Sequence, residues 1–276
     1  MTPLPPDNHV HSEFSWDTDV GSMERTCARA AEIGLPSIAF TEHVDPTPFS
    51  LAGSGPYVNE HHRAMADENL VLTPPPLDVT GYLESIERCR SLFPGLRILT
   101  GVELGQPHWN ASSCAAVLRS GPFDRVLGSQ HCLPHDSGFA EPWYLYPLRD
   151  ADEVMRDYLA EVVRLVGSDA PFQVLAHIDY AARSWPHGEF EPGRFEDEFR
   201  YALRATAASG RTLEVNTRIP LHATILRWWR EEGGETISFG SDAHRPDAVG
   251  HGFREAAALA EAHGFRPGDH PDEFWR

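Results

Sequence analysis

The chain has 276 residues, a formal charge of −18, 41% apolar residues and four scattered cysteines. This composition supplies a full hydrophobic core without disulfides, and the deficit of Lys and Arg excludes a general affinity for nucleic acid or anionic membranes. Cys27, Cys89, Cys114 and Cys132 form no CxxC pair, so they read as reduced thiols. The opening MTPLPPDNHVHSEF lacks a basic n-region and an apolar h-region, and no stretch approaches the roughly 20 apolar residues of a membrane span. The expectation is a cytoplasmic protein.

Seven short apolar runs rich in Val, Ile and Leu are predicted as strands, at 8–11, 36–41, 97–103, 125–129, 172–177, 212–216 and 236–240. Amphipathic helices lie between them. The first has Ser22 as its N-cap and Gly34 just past its end. The clearest starts at Asp150 and Glu153, a capping-box pair, repeats Val154, Tyr158, Val162 and Val166 on one face, and stops at Gly167. Strand followed by helix, repeated seven times, implies a parallel sheet, and closing it removes the edges. The predicted architecture is an α/β fold, a single (β/α)7 barrel domain over 1–276.

Two segments break this rhythm. Residues 44–77 carry six prolines and the pair His61 and His62 where a strand-to-helix loop belongs. They read equally as a lid over the catalytic face or as an insertion with a short helix at 60–68. The tail 265–276 reads as a polar extension with no assigned role.

The chain has 15 histidines, and their position relative to the strands carries the argument. His9 and His11 end the first strand, where residues two apart point to the same side and can share an ion. The second strand ends in Thr41-Glu42-His43 and the third in Gly101-Val102-Glu103. The fourth leads into Gly128-Ser129-Gln130-His131, the fifth into Leu175-Ala176-His177, and the seventh into Gly240-Ser241-Asp242-Ala243-His244. Barrel enzymes assemble their sites at these carboxyl ends, and Asp17 in the first loop can join. The set His9, His11, Asp17, His43, Glu103, His131, His177, Asp242 and His244 is too large for one ion. With one bridging carboxylate it suits two or three divalent ions, three being the fuller use of the donors.

Around this set, Glu42 should point away from His43 and support the site from behind. Arg183 and Arg218 are candidates for gripping a substrate, because a guanidinium fork matches two oxygens of an anionic group such as a phosphate. With Asp242 and His244 they make up the candidate catalytic residues. Ser129, Ser241 and Cys132 lack the base and orienting carboxylate of a nucleophile and read as small packed side chains. His108, His222 and His251 are alternative proton donors to a leaving group.

The ordered motifs His9-x-His11, Asp17, Thr-Glu-His43, Gly-x-Glu103, His131, His177 and Gly-Ser-Asp242-Ala-His244 resemble those of the polymerase-and-histidinol-phosphatase (PHP) family, from His9 to about Gly252. The resemblance implies a distorted seven-stranded barrel with a trinuclear metal cluster. His9, His11, Glu103 and Asp242 would hold one ion, Glu103 as a bridge with His131 and His177 the second, and Asp17, His43 and His244 the third. Where some relatives have histidine as the third ion's first ligand, this chain has Asp17, a harder donor that lets manganese or iron compete with zinc. Size, the long second loop and the strand-end phrases are similar to the histidinol-phosphatase branch. That likeness implies hydrolysis of L-histidinol phosphate, a small phosphorylated substrate, to L-histidinol and inorganic phosphate by attack of a metal-bridging hydroxide. Other branches act on other phosphomonoesters or nucleotides.

Two rival readings use the same residues. An amidohydrolase also begins with His-x-His and ends on an aspartate, but would leave Asp17, His43 and His244 unexplained. A metal-stabilised module without activity would tolerate lost donors, and here all nine positions are filled. The sequence does not specify an oligomeric state.

Overall fold

The computed structural model describes residues 4–52 and 60–276. Seven parallel strands form one sheet in chain order: Asp7–Val10, Ser37–Val44, Arg97–Gly105, Arg125–Ser129, Val174–Leu175, Thr212–Asn216 and Ile237–Gly240. The last strand returns to the first just beyond its end. His11 N–H donates to Ala243 O at 2.9 Å and Asp242 N–H to His9 O at 2.8 Å, so the seam of the barrel closes at its carboxyl end. All seven predicted strands are present. The fifth shrinks to Val174–Leu175, which leaves His177 on the loop beyond it.

The helices follow their sequence signals. Ser22 Oγ accepts from Arg25 N–H to cap Met23–Ile33, and Gly34 ends that helix at φ 77°, a left-handed turn that glycine takes without a Cβ penalty. Asp150 accepts from the amides of Asp152 and Glu153 to start Ala151–Val166, which buries Val154, Tyr158, Val162 and Val166. Such inward faces, with Phe199, Trp228 and Trp229 from later helices, cover the sheet. The strands therefore read as continuous apolar runs, because both of their sides are covered.

In the insertion, Phe49–Ser50 pairs antiparallel with Val71–Leu72, and a short helix spans Glu60–Met65. The predicted helix end at 68 is too late by three residues, and part of the segment lies outside the described residues. The tail is not the idle extension its composition suggests. Phe265 and Trp275 are buried, Ile237 and Trp275 exchange two backbone hydrogen bonds of 2.9 and 3.0 Å, and Phe274 packs on Leu127, Val174 and Ala176. Three aromatics among twelve mostly polar residues carry no period, so this docking could not be read locally. No helix among the described residues is long and apolar enough to cross a membrane.

Candidate metal centre

The barrel gathers all nine predicted donors at its carboxyl end, in overlapping groups in which His43 Nδ1 also lies 3.1 Å from Glu103 Oε2. His9 Nε2 and His11 Nε2 lie 3.0 Å apart. Glu103 Oε2 is 3.3 and 3.5 Å from them, and Asp242 Oδ1 is 3.9 and 3.6 Å away. Glu103 turns its other oxygen to a second group, with Oε1 at 3.2 Å from His131 Nε2 and 2.8 Å from His177 Nε2. In the third group Asp17 Oδ2 meets His43 Nε2 at 3.4 Å and His244 Nε2 at 2.8 Å. Convergence follows from the strand ends and from the seam, which sets Asp242 beside His9. Asp242 is held at φ 52°, a left-handed conformation uncommon outside glycine and over-represented at functional sites.

The polar atoms facing one another here do not satisfy themselves. Ser15 donates its proton to Glu42 Oε2 at 2.6 Å, so toward His11 Nδ1, at 2.9 Å, it is an acceptor. His11 then carries its proton on Nδ1 and presents a bare Nε2. Burial, followed by the neighbouring His43 and His244, holds its pKa well below the ordinary value. His9 sets Nδ1 against Glu214 Oε1 at 2.6 Å, which likewise directs its Nε2 to the centre. Burial alone would lower the His9 pKa, but Glu214, Glu103 and Asp242 raise it well above the usual value. The carboxylates around these two rings favour positive charge between them, which a divalent ion would supply. Glu103 Oε2 and Asp17 Oδ1 are buried without a hydrogen-bond partner among the described residues. Nitrogen and carboxylate donors disposed in this way fit divalent transition ions.

Further residues hold the donors in place. Glu42 accepts from Ser12 N–H, Ser12 Oγ and Ser15 Oγ, in the supporting position expected of it. Asp45 sets one oxygen 3.1 Å from His43 Nδ1 and the other 3.2 Å from His131 Nδ1. Burial and then the pull of Glu103 and Asp45 act oppositely on His131, with the net result that its pKa is pushed up to about 10. Glu214 serves His9 and also accepts from His177 N–H at 2.7 Å. Sequence reasoning missed Asp45 and Glu214. Asp45 was open to the two-apart rule, since it follows His43 on the same side of the chain. Glu214 stood inside a predicted buried strand, where a carboxylate needs a partner. Close approach also explains two glycines: a Cβ at Gly105 would collide with Asp45, and one at Gly240 with Glu214 and His9.

Arg183 and Arg218 both line the cavity above the donors. Arg183 donates to Asp242 Oδ2 at 2.7 Å and Asn216 Oδ1 at 3.3 Å, and Arg218 to Asp242 Oδ1 at 3.3 Å. The three alternative proton donors do not reach it. His108 faces Glu161, His222 caps the helix Ala223–Glu231 by accepting from Thr224 N–H, and His251 is exposed; none lines the cavity. Ser129 donates to Leu104 O, and burial raises the Cys132 thiol well above its usual pKa, so neither is an activated nucleophile. The cavity has a volume of about 370 Å³, within the range of small-molecule sites.

Comparison with known proteins bears on this arrangement. A histidinol-phosphatase of Lactococcus lactis is 26% identical over 94% of this chain and 91% of its own length. A Clostridium acetobutylicum protein named "probable histidinol-phosphatase" is 25% identical over 95% and 94%. The crystal structure of the Lactococcus lactis histidinol phosphate phosphatase, complexed with zinc, L-histidinol and phosphate, superposes with a TM-score of 0.78 at 24% identity, covering 96% of this chain and 95% of that one. The PHP domain model matches residues 7–218, more than half of the chain, and with the barrel and its donor groups in place the chain belongs to the PHP domain family.

Proposed function

We propose that this protein is a metal-dependent phosphomonoesterase that hydrolyses L-histidinol phosphate to L-histidinol and inorganic phosphate. The observation that carries the reading is the division of Glu103, one oxygen toward His9 and His11 and the other toward His131 and His177, in a cavity that two arginines also line. His9, His11, Glu103 and Asp242 would hold one ion, Glu103, His131 and His177 a second, and Asp17, His43 and His244 a third. Divalent ions held there would neutralise charge on phosphoryl oxygens and lower the pKa of water to about 7, which would supply a nucleophile at neutral pH. Arg183 and Arg218 orient the phosphate. Asp242 adjoins both arginines and His244 adjoins Arg218, and these are the groups available to move a proton near the phosphate oxygens.

The described part of the insertion contributes Phe49, Leu51 and His62 to the cavity wall, the position from which a lid over a single domain acts. With a charge of −18 the protein has no electrostatic basis for binding nucleic acid, and its four buried free cysteines suit the reducing cytoplasm.

The test is release of inorganic phosphate from a panel of phosphomonoesters with manganese or zinc supplied. L-histidinol phosphate is expected to be the preferred ester. Turnover of lactones or cyclic amides in place of phosphate esters would overturn the reading in favour of an amidohydrolase. A second measurement concerns metal content. Elemental analysis of the loaded protein should find two or three divalent ions per chain, and a stoichiometry of one or less refutes the three-group assignment.

A further inference from the structure

The tail 265–276 takes no part in the chemistry described above, yet it meets five strands at the ends opposite their metal donors. Trp275 pairs with Ile237 on the seventh strand. The Asp272 carboxylate lies 2.9 Å from Arg97 Nη2 on the third, and Ser37 on the second donates to Pro271 O at 3.3 Å. From the fourth strand Arg125 donates to Asp272 O and sets its guanidinium 4.8 Å from the centre of the Phe274 ring, a cation–π contact. The same arginine donates to Asn8 Oδ1 at 3.0 Å, beside His9.

Phe274 goes deepest. Side chains alternate along a strand, and Val126 and Leu175 belong to the main core beneath the helices. Leu127, Val174 and Ala176, which form a separate cluster with Phe274, therefore face the barrel interior. Arg125 and Val174 are the first residues of their strands, so the ring enters the barrel from its amino end. The fifth strand has only two residues in regular pairing, and His177 directly follows Ala176. We infer that Phe274 is a positioning residue for the metal centre: as a plug in the amino end of the barrel it fixes the inner faces of the fourth and fifth strands, and through them His131 and His177. This rests on the metal-centre reading of the strand-end donors. Protein interiors have few voids larger than a water molecule, so removing the ring leaves either a cavity or a shift of the strands around it. A strand of two residues, with few ladder hydrogen bonds to hold it, yields more readily than the nine-residue strand that carries Glu103. The second donor group therefore loses its geometry before the first.

The experiment loads the parent, Phe274→Ala, Phe274→Leu and Phe199→Leu with zinc. Competition with a chelator then measures how many ions each chain holds and how tightly, at a temperature where circular dichroism shows every variant folded. Phe199 is buried in the helix layer outside the sheet, so Phe199→Leu controls for a general loss of packing that does not touch the interior. In Phe274→Ala one ion should bind roughly 10- to 100-fold more weakly, the usual cost of removing outer support from a metal ligand, while the remaining ions bind as in the parent. Phe274→Leu refills part of the space and should fall between the two. Added zinc should restore phosphate release in both variants. Phe199→Leu should melt at a lower temperature and still hold its zinc like the parent.

If both Phe274 variants hold every ion as tightly as the parent, the ring is only part of the packing and the inference is overturned. It is overturned equally if all ions loosen together, or if Phe199→Leu loses zinc to the same extent. In each of these cases a parent that holds two or three ions leaves the metal-centre reading intact. A parent that holds one ion or none defeats that reading, and the inference with it.

Discussion

Glu103→Gln is expected to lower turnover by at least about 100-fold while leaving the barrel folded. The carboxylate is buried with nitrogen donors on both oxygens: His9 and His11 on one side, His131 and His177 on the other. Glutamine keeps the volume but replaces one oxygen with an NH2 group that cannot donate a lone pair to a cation. It also removes the negative charge that offsets the ions. Losing one preorganised electrostatic element at a reacting centre typically costs about 10²–10³ in rate. The fold should persist because no apolar contact is deleted and the cavity face of a barrel is not its core. Circular dichroism checks the fold, elemental analysis the metal content, and phosphate release the rate. Near-normal turnover with normal metal content would refute the bridging role.

For Arg183→Ala the expected loss in kcat/KM on a phosphomonoester is roughly 10- to 150-fold, from the worth of a charge-assisted hydrogen bond of about 1.5–3 kcal/mol. Arg183→Lys should also weaken binding, since it keeps the charge but loses the planar fork. Inorganic phosphate competes for the same contact and should become a poorer inhibitor in both variants. The Arg183 ion pair to Asp242 at 2.7 Å offers a competing explanation, in which the arginine only steadies a metal donor. That explanation predicts loss of bound metal along with rate. The phosphate grip predicts a weaker phosphate inhibitor with metal content unchanged. If both variants match the parent in rate and phosphate inhibition, the grip passes to Arg218.

The predicted residues that the fold brings together share one property: their signal is local. His9 and His11 are two apart on a strand, His43 and Glu103 end apolar runs, and Asp242 and His244 follow a Gly-Ser turn. A strand end in a parallel barrel has only one place to go, so seven strand-and-helix units imply convergence without any knowledge of distances. Arg183 and Arg218, on loops at the same end, reach the cavity for the same reason. The three alternative proton donors failed because being in or near a loop says nothing about which way a histidine faces. His222, for one, was already committed to capping a helix.

The sequence by itself determined the seven-unit α/β barrel, the nine strand-end donors and the acidic, core-rich character of the chain, because strand alternation, helix periodicity and capping are short-range. Only the tertiary structure decided the distances among these donors, with Asp242 brought to His9 by the closing seam. It alone paired Glu214 with His9 across 205 positions, and Glu141 with Tyr180 across 39. It also docked Trp275 on Ile237 beneath the barrel. These pairings depend on how far each helix carries the chain around the barrel and on which loops then face each other. Hydrogen bonds between such loops leave no periodic mark in the residues that make them.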